Sequence, residues 1–179
     1  MSHVMGIDVG TTGTRAVIVR PDGHVVGAAT GDHQPMLMLK PGWAEQDTAD
    51  WWEATIKAVR AALDDAGLKG ADIAAVGLSG QMHGVVLLDR TRAVLRPSLI
   101  WCDQRSQAQC DWITEQVGAE RLIQLVSNPA LTGFSAPKIL WVRDNEPQIF
   151  ERAAHFLLPK DFVRFKLTGE FATEVSDAS

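Results

Sequence analysis

A chain of 179 residues with 46% hydrophobic and 22% charged residues can build one domain with a real core, is short for two full domains, and is neither disordered nor fibrous in composition. Its net charge is −5 and no run of Lys and Arg is long enough to form a basic stripe, which argues against nucleic acid or an anionic membrane as the main partner. An anionic ligand therefore needs local donors or a metal.

From the N-terminus, Val4–Asp8 and Thr14–Arg20 read as two strands flanking the turn Gly10-Thr11-Thr12-Gly13, which makes a hairpin. Pro21-Asp22-Gly23 is a turn signal, and His24–Ala29 supplies a third antiparallel strand. Asp47 is a suitable N-cap for a helix whose apolar face carries Trp52, Ile56, Val59 and Leu63 and which ends at Gly67 or Gly70. Ile73–Leu78 reads as a buried strand and Val85–Asp89 as another, separated by Ser79-Gly80-Gln81-Met82-His83-Gly84. A short strand at Ser98–Cys102 precedes helices near Ser106–Val117, Glu120–Val126, Ala136–Asp144 and Asp161–Leu167, with Phe156–Leu158 suited to a short strand. Helices between strands predict an α/β fold with a mixed sheet that opens on an antiparallel hairpin.

Cys102 and Cys110 match neither a CxxC knuckle nor a disulfide framework and read as buried free thiols. The start MSHVMGID lacks the charged and apolar regions of a leader, and nowhere do about 18 apolar residues run unbroken, so a cytoplasmic location is expected.

The opening stretch GIDVGTTGTRAVIV has the small residues of a phosphate-binding loop without the helix that usually follows. The sequence contains no Gly-Lys-Ser or Gly-Lys-Thr, and Gly6, Gly10 and Gly13 do not follow the GxGxxG spacing, so neither common nucleotide motif applies. A tight turn can still hold phosphate where successive backbone N–H groups and small hydroxyls line one concavity. Gly10, Thr11, Thr12 and Gly13 suit that role, Asp8 is placed to hold Mg²⁺ directly or through water, and Arg15 adds a cationic contact. The alternative is a plain hairpin whose glycines provide φ > 0 and whose threonines supply β propensity.

The loop combines with Gly42-Trp43-Ala44-Glu45-Gln46-Asp47, Trp51-Trp52, Gly80-Gln81-Met82-His83-Gly84, Trp101-Cys102-Asp103-Gln104-Arg105 and Leu158-Pro159-Lys160-Asp161-Phe162, followed by Leu167-Thr168-Gly169-Glu170. In that order these stretches resemble the N-terminal part of the FGGY family of carbohydrate kinases, over essentially residues 5–179. The resemblance implies an actin-like ATPase domain with a ribonuclease H-like core, in which the hairpin clamps ATP phosphates and Asp8 lies near Mg²⁺. It implies transfer of the γ-phosphoryl of ATP to a sugar, with Thr11, Thr12 and Arg15 near the nucleotide phosphates. Met82 and His83 match the pair that touches sugar in members acting on D-xylulose, where glycerol-using relatives carry Arg-Glu, so D-xylulose or a related ketopentose is the expected substrate.

Gln-Met-His also suits a sugar chemically, because a sugar offers hydroxyl edges and an apolar C–H face. Asp103 is a further candidate sugar contact, although it and Arg105 read equally well as a helix cap and a solvated charge. Trp43, Trp51 and Trp52 read as packing. The family's general base, an Asp, matches neither Asp8 nor Asp103. The sequence is therefore expected to be an incomplete N-terminal kinase domain, residues 1–179, inactive alone. A ribulose-type kinase and a non-catalytic sugar- or nucleotide-binding module are the alternatives.

Overall fold

The computed structural model describes residues 3–177, so the outermost two residues at either end of the expected domain lie outside the described residues. The chain divides into two compact units, one of residues up to Pro35 with Thr48–Gln81 and Pro159–Phe171, the other of Met36–Asp47, Met82–Leu158 and the residues from Ala172.

The first unit is built on a four-stranded sheet in the order β3-β2-β1-β5. Strands β1 (His3–Val9), β2 (Gly13–Val19) and β3 (Val25–Asp32) form the expected antiparallel meander, and β5 (Ile73–Gly80) joins β1 in parallel, so the sheet is mixed. Alternation sets its faces: Met5, Ile7, Val9, Thr14, Ala16 and Ile18 are buried, whereas Val4, Gly6, Asp8 and Arg15 are exposed.

Helix α1 (Thr48–Ala66) covers the buried face. Its C-terminus closes as a Schellman motif: Gly67 has φ 63°, the Leu68 N–H donates to the Leu63 carbonyl at 2.9 Å and the Gly67 N–H to the Asp64 carbonyl at 3.1 Å. The expected apolar face is displaced, however. The fully buried stripe is Trp51, Ala54, Thr55, Ala58 and Ala62, while Trp52, Ile56, Val59 and Leu63 are only half-buried. Two glycines of β3 account for the difference. A Cβ on Gly31 would stand 2.4 Å from the Ala54 carbonyl oxygen, and one on Gly27 2.5 Å from that of Ala62. The helix lies directly on strand backbone, and only small residues fit at that contact.

Strand β5 also departs from expectation. It is exposed or half-buried along its length rather than buried, because it is the last strand of the sheet and α1 packs mainly on β2 and β3. Helix α6 (Pro159–Thr168) contacts β5 and β1 and opens on a proline, which tolerates the first turn because no N–H is needed there.

The second unit has two small antiparallel pairs, β4 (Glu45–Gln46) with β7 (Ser98–Leu99), and β6 (Val86–Leu88) with β8 (His155–Leu157). Helices α2 (Gln107–Val117), α3 (Ala119–Val126), α4 (Ser135–Asn145) and α5 (Pro147–Arg152) complete it. Val85, Leu87, Leu99, Trp141 and Val142 form its core, with Trp43 packed against them. Both cysteines are free as expected; Cys110 is buried, but Cys102, at the turn after β7, is only half-buried.

Candidate functional site

The hairpin turn is shaped by the close approach of backbone to backbone. The Gly10 N–H donates to the Gly13 carbonyl at 3.0 Å, and a Cβ on Gly10 would sit 3.0 Å from that same oxygen, one on Gly13 2.9 Å from the Gly31 carbonyl. Neither glycine has positive φ, so here the residue is selected by space and not by left-handed conformation. Thr11 is half-buried and Thr12 exposed. Behind them, Thr14 Oγ1 pairs with His33 Nε2 at 2.9 Å, and the His33 N–H donates to the Thr12 carbonyl at 3.0 Å. Burial pushes the His33 pKa down, against the raising effects of the Thr11 backbone and of Asp50 and Asp32, which keeps a neutral imidazole beneath the turn.

Asp8 stands at the turn's edge on the exposed face, between Arg15 of β2 and Ser79 of β5 in register. Arg15 donates to Thr30 Oγ1 at 3.5 Å. Gln81 closes the other side: its N–H donates to the Val9 carbonyl at 2.8 Å and its side-chain amide to the Gly10 carbonyl at 3.2 Å. Expected as a sugar contact, Gln81 is buried and braces the hairpin. A Mg²⁺ ion usually takes one or two carboxylates and completes its shell with water and phosphate. One exposed Asp8 fits that requirement, and among the described residues no cluster of three or more His, Cys, Asp or Glu forms an all-protein cage.

In the second unit, Met82 is 52% exposed. His83 follows with φ 58°, unusual for a residue with a Cβ. Its backbone is pinned: the His83 carbonyl accepts from Ser135 Oγ and from Lys138 Nζ, each at 3.2 Å, and Lys138 also donates to the Gly133 carbonyl. The ring is pinned as well, by an edge-to-face contact with Phe134 at 4.7 Å between centroids and by Asp177, whose Oδ1 lies 3.0 Å from Nδ1. Burial lowers the His83 pKa, opposed by Asp177 and assisted by Lys138.

Asp103 sits elsewhere in that unit and has no exposed surface. Oδ2 accepts the Ala44 N–H at 2.6 Å, Oδ1 accepts the Arg105 N–H at 3.0 Å, and both oxygens accept from the Arg105 guanidinium at 2.7–3.0 Å. Arg105 in turn bonds Glu45 at 2.6 Å and lies 3.8 Å over the Trp43 ring. The motifs around Trp43 and Arg105 thus form one buried scaffold, which corrects the readings of Arg105 as solvated and of Asp103 as a helix cap; α2 begins later, after Ser106. Asp103 spends its lone pairs on protein donors. Trp43 and Trp51 pack as expected, and Trp52 lies under Lys166 Nζ at 5.5 Å.

Sequence reasoning missed Lys138, Ser135 and Asp177 around His83. No local spacing could have revealed them, since Asp177 lies 94 positions from its partner.

A family model for the FGGY carbohydrate kinases, N-terminal domain, matches residues 3–179. A xylulose kinase of Bacillus subtilis is 42% identical over the whole chain, which spans 36% of that relative. The crystal structure of a xyloylose kinase from Brucella ovis superposes with a TM-score of 0.93 at 38% identity, over 98% of this chain and 36% of that one. The xylulose kinase of Rhodospirillum rubrum gives 0.90 at 30% identity, over 96% and 35%. The chain belongs to the FGGY family of carbohydrate kinases, and its fold is the actin-like ATPase fold of those enzymes. It spans about a third of the length of the relatives it matches. Among the described residues no helix is long and apolar enough to cross a membrane.

Proposed function

We propose that this chain is the N-terminal part of a cytoplasmic ATP-dependent kinase that phosphorylates D-xylulose, giving D-xylulose 5-phosphate. The carrying observation is the exposed Asp8 beside Arg15 at the rim of a tight Gly-Thr-Thr-Gly turn, in a chain whose matched relatives include xylulose kinases. In this reading the bond from the γ-phosphorus to the ADP oxygen breaks as a bond to a sugar hydroxyl oxygen forms, and catalysis is chiefly positioning and charge stabilisation. Gly10, Thr11, Thr12 and Gly13 cradle the phosphates, Arg15 offsets their charge, and Asp8 holds the metal. Mg²⁺, when bound, neutralises charge developing on the transferred group.

Met82 offers its thioether to the C–H face of the sugar and His83 its ring nitrogen to a hydroxyl. Gln81 acts through the hairpin it braces. Asp103 serves the buried scaffold around Trp43 and Arg105, because its oxygens already accept from the Ala44 N–H and the Arg105 guanidinium. The proton of the attacking hydroxyl is assigned to a carboxylate outside residues 3–177.

Steady-state kinetics of the full-length protein with a panel of ketopentoses test the substrate, with the largest kcat/KM expected for D-xylulose. A clear preference for ribulose or another pentulose overturns that assignment. Asp8→Asn should lower kcat by roughly 10²-fold or more with Tm unchanged. Normal turnover with MgATP would remove Asp8 from the chemistry.

A further inference from the structure

The surroundings of His83 determine more than its position. A carboxylate only accepts hydrogen bonds, so the 3.0 Å contact between Asp177 Oδ1 and His83 Nδ1 requires the ring proton to reside on Nδ1. The same oxygen accepts the His83 backbone N–H at 3.3 Å, which ties ring and main chain to one anchor. Moving the proton to Nε2, or flipping the ring, would remove the N–H that faces Asp177. The pair is sheltered, with side chains 19% and 12% exposed, and Lys138 and Ser135 fix the carbonyl on the opposite side of the residue.

We propose that Asp177 is a positioning residue that locks His83 as the Nδ1–H tautomer, so that Nε2 meets the sugar as an acceptor for one of its hydroxyl protons. The proposal rests on the reading of His83 as a sugar contact and adds the polarity of that contact. A neutral ring held this way can accept through Nε2 and cannot donate through it. The lowered pKa of His83 agrees, since the neutral ring is the one that carries the lone pair. A sugar whose matching hydroxyl is replaced by hydrogen, or by a group without a proton to give, would leave that lone pair unmet. Asp177 thereby influences specificity without touching the substrate.

The test uses the full-length protein. Long-range ¹H–¹⁵N spectra of histidine-labelled protein, with His83 assigned by its loss in His83→Gln, should show Nδ1 protonated and Nε2 as a lone pair. Asp177→Ala should mix the two tautomers and raise the KM for D-xylulose about tenfold, while the KM for ATP stays at its wild-type value. Asp177→Asn, which keeps an acceptor oxygen, should recover most of that loss. A protonated Nε2 in the wild type overturns the proposal, as does an unchanged sugar KM in Asp177→Ala where His83→Ala is impaired. Unimpaired kinetics in His83→Ala would instead remove the sugar contact itself, with the spectra still deciding the tautomer. Should Asp177→Ala fail to fold, the wild-type spectra and Asp177→Asn carry the decision.

Discussion

Lys138 is a buried ammonium with no exposed surface, and its replacement by methionine should change how stability depends on pH. Burial lowers its pKa from 10.5 to about 8, against the raising effects of Asp103, Cys102, Cys110 and Asp177. Above pH 8 the folded protein gives up this proton while the unfolded chain keeps it to about 10.5. The unfolded state then binds more protons, and stability rises with pH across that window. For a shift of this size the gain between pH 7 and pH 10 is about 2.5 kcal/mol as an order of magnitude. The neighbouring thiols act in the opposite sense. Burial raises the pKa of Cys102 and of Cys110, so the unfolded chain loses those protons first and stability falls as pH passes about 9. Subtracting the Lys138→Met curve from the wild-type curve removes most of that opposing trend. Urea unfolding of the full-length protein at pH 7, 8.5 and 10 should therefore show the wild type gaining on the variant by about 2.5 kcal/mol. Parallel curves for the two proteins would refute the argument, because they would mean that Lys138 keeps an ordinary pKa in the fold.

Three further substitutions, one of them a control, probe the packing on which the proposed sites depend. Gly31→Ala, which places a methyl 2.4 Å from the Ala54 carbonyl oxygen, should cost about 1–3 kcal/mol by lifting α1 from β3. Gly70→Ala, with nothing within 4 Å, should stay within about 0.5 kcal/mol of wild type; equal Tm values for the two variants would show that the helix is not seated on strand backbone. Arg105→Lys keeps the charge but loses the paired bonds to Asp103 and the stacking over Trp43, and should cost about 2 kcal/mol in urea unfolding. An unchanged midpoint would contradict the scaffold role.

Local chemistry made the hairpin, the third strand and the end of α1 legible, because a Gly-Thr-Thr-Gly turn, Pro21-Asp22-Gly23 and Gly67 each act within a few residues. The buried stripe of α1 was not legible by hydrophobicity, which ranks Trp52, Ile56, Val59 and Leu63 above alanine. Its true determinant is the pair Gly27 and Gly31 on another element, where contact distance excludes large side chains. Strand β7 (Ser98–Leu99) falls within the short strand expected at Ser98–Cys102, but its partner β4 has only two residues, too few for any period to register. Helix α5, six residues after a proline, also escaped notice. Among the candidate residues, the sequence could place Asp8 at the end of β1 and Met82 and His83 in a loop. It could not distinguish a reaching side chain from a bracing one.

That distinction is a matter of how many acceptors the fold has already used. Asp8 and Asp103 are the same residue type in motifs of equal prominence, yet one carboxylate is exposed and the other accepts from a backbone amide and a guanidinium with no surface of its own. Freeing Asp103 for a ligand would break its buried bonds to the Ala44 N–H and the Arg105 guanidinium and leave Glu45 as the carboxylate that Arg105 keeps, a loss that a single sugar hydrogen bond does not offset. Ligand contacts are better sought where the protein leaves one side of a group uncommitted. His83 shows the intermediate arrangement: its carbonyl, its N–H and its Nδ1 all face protein partners, and committing those three atoms gives Nε2 a defined chemical character. In the proposed sugar contact, a polarity fixed by a carboxylate 94 positions away would discriminate between sugar hydroxyls more sharply than a freely turning imidazole could.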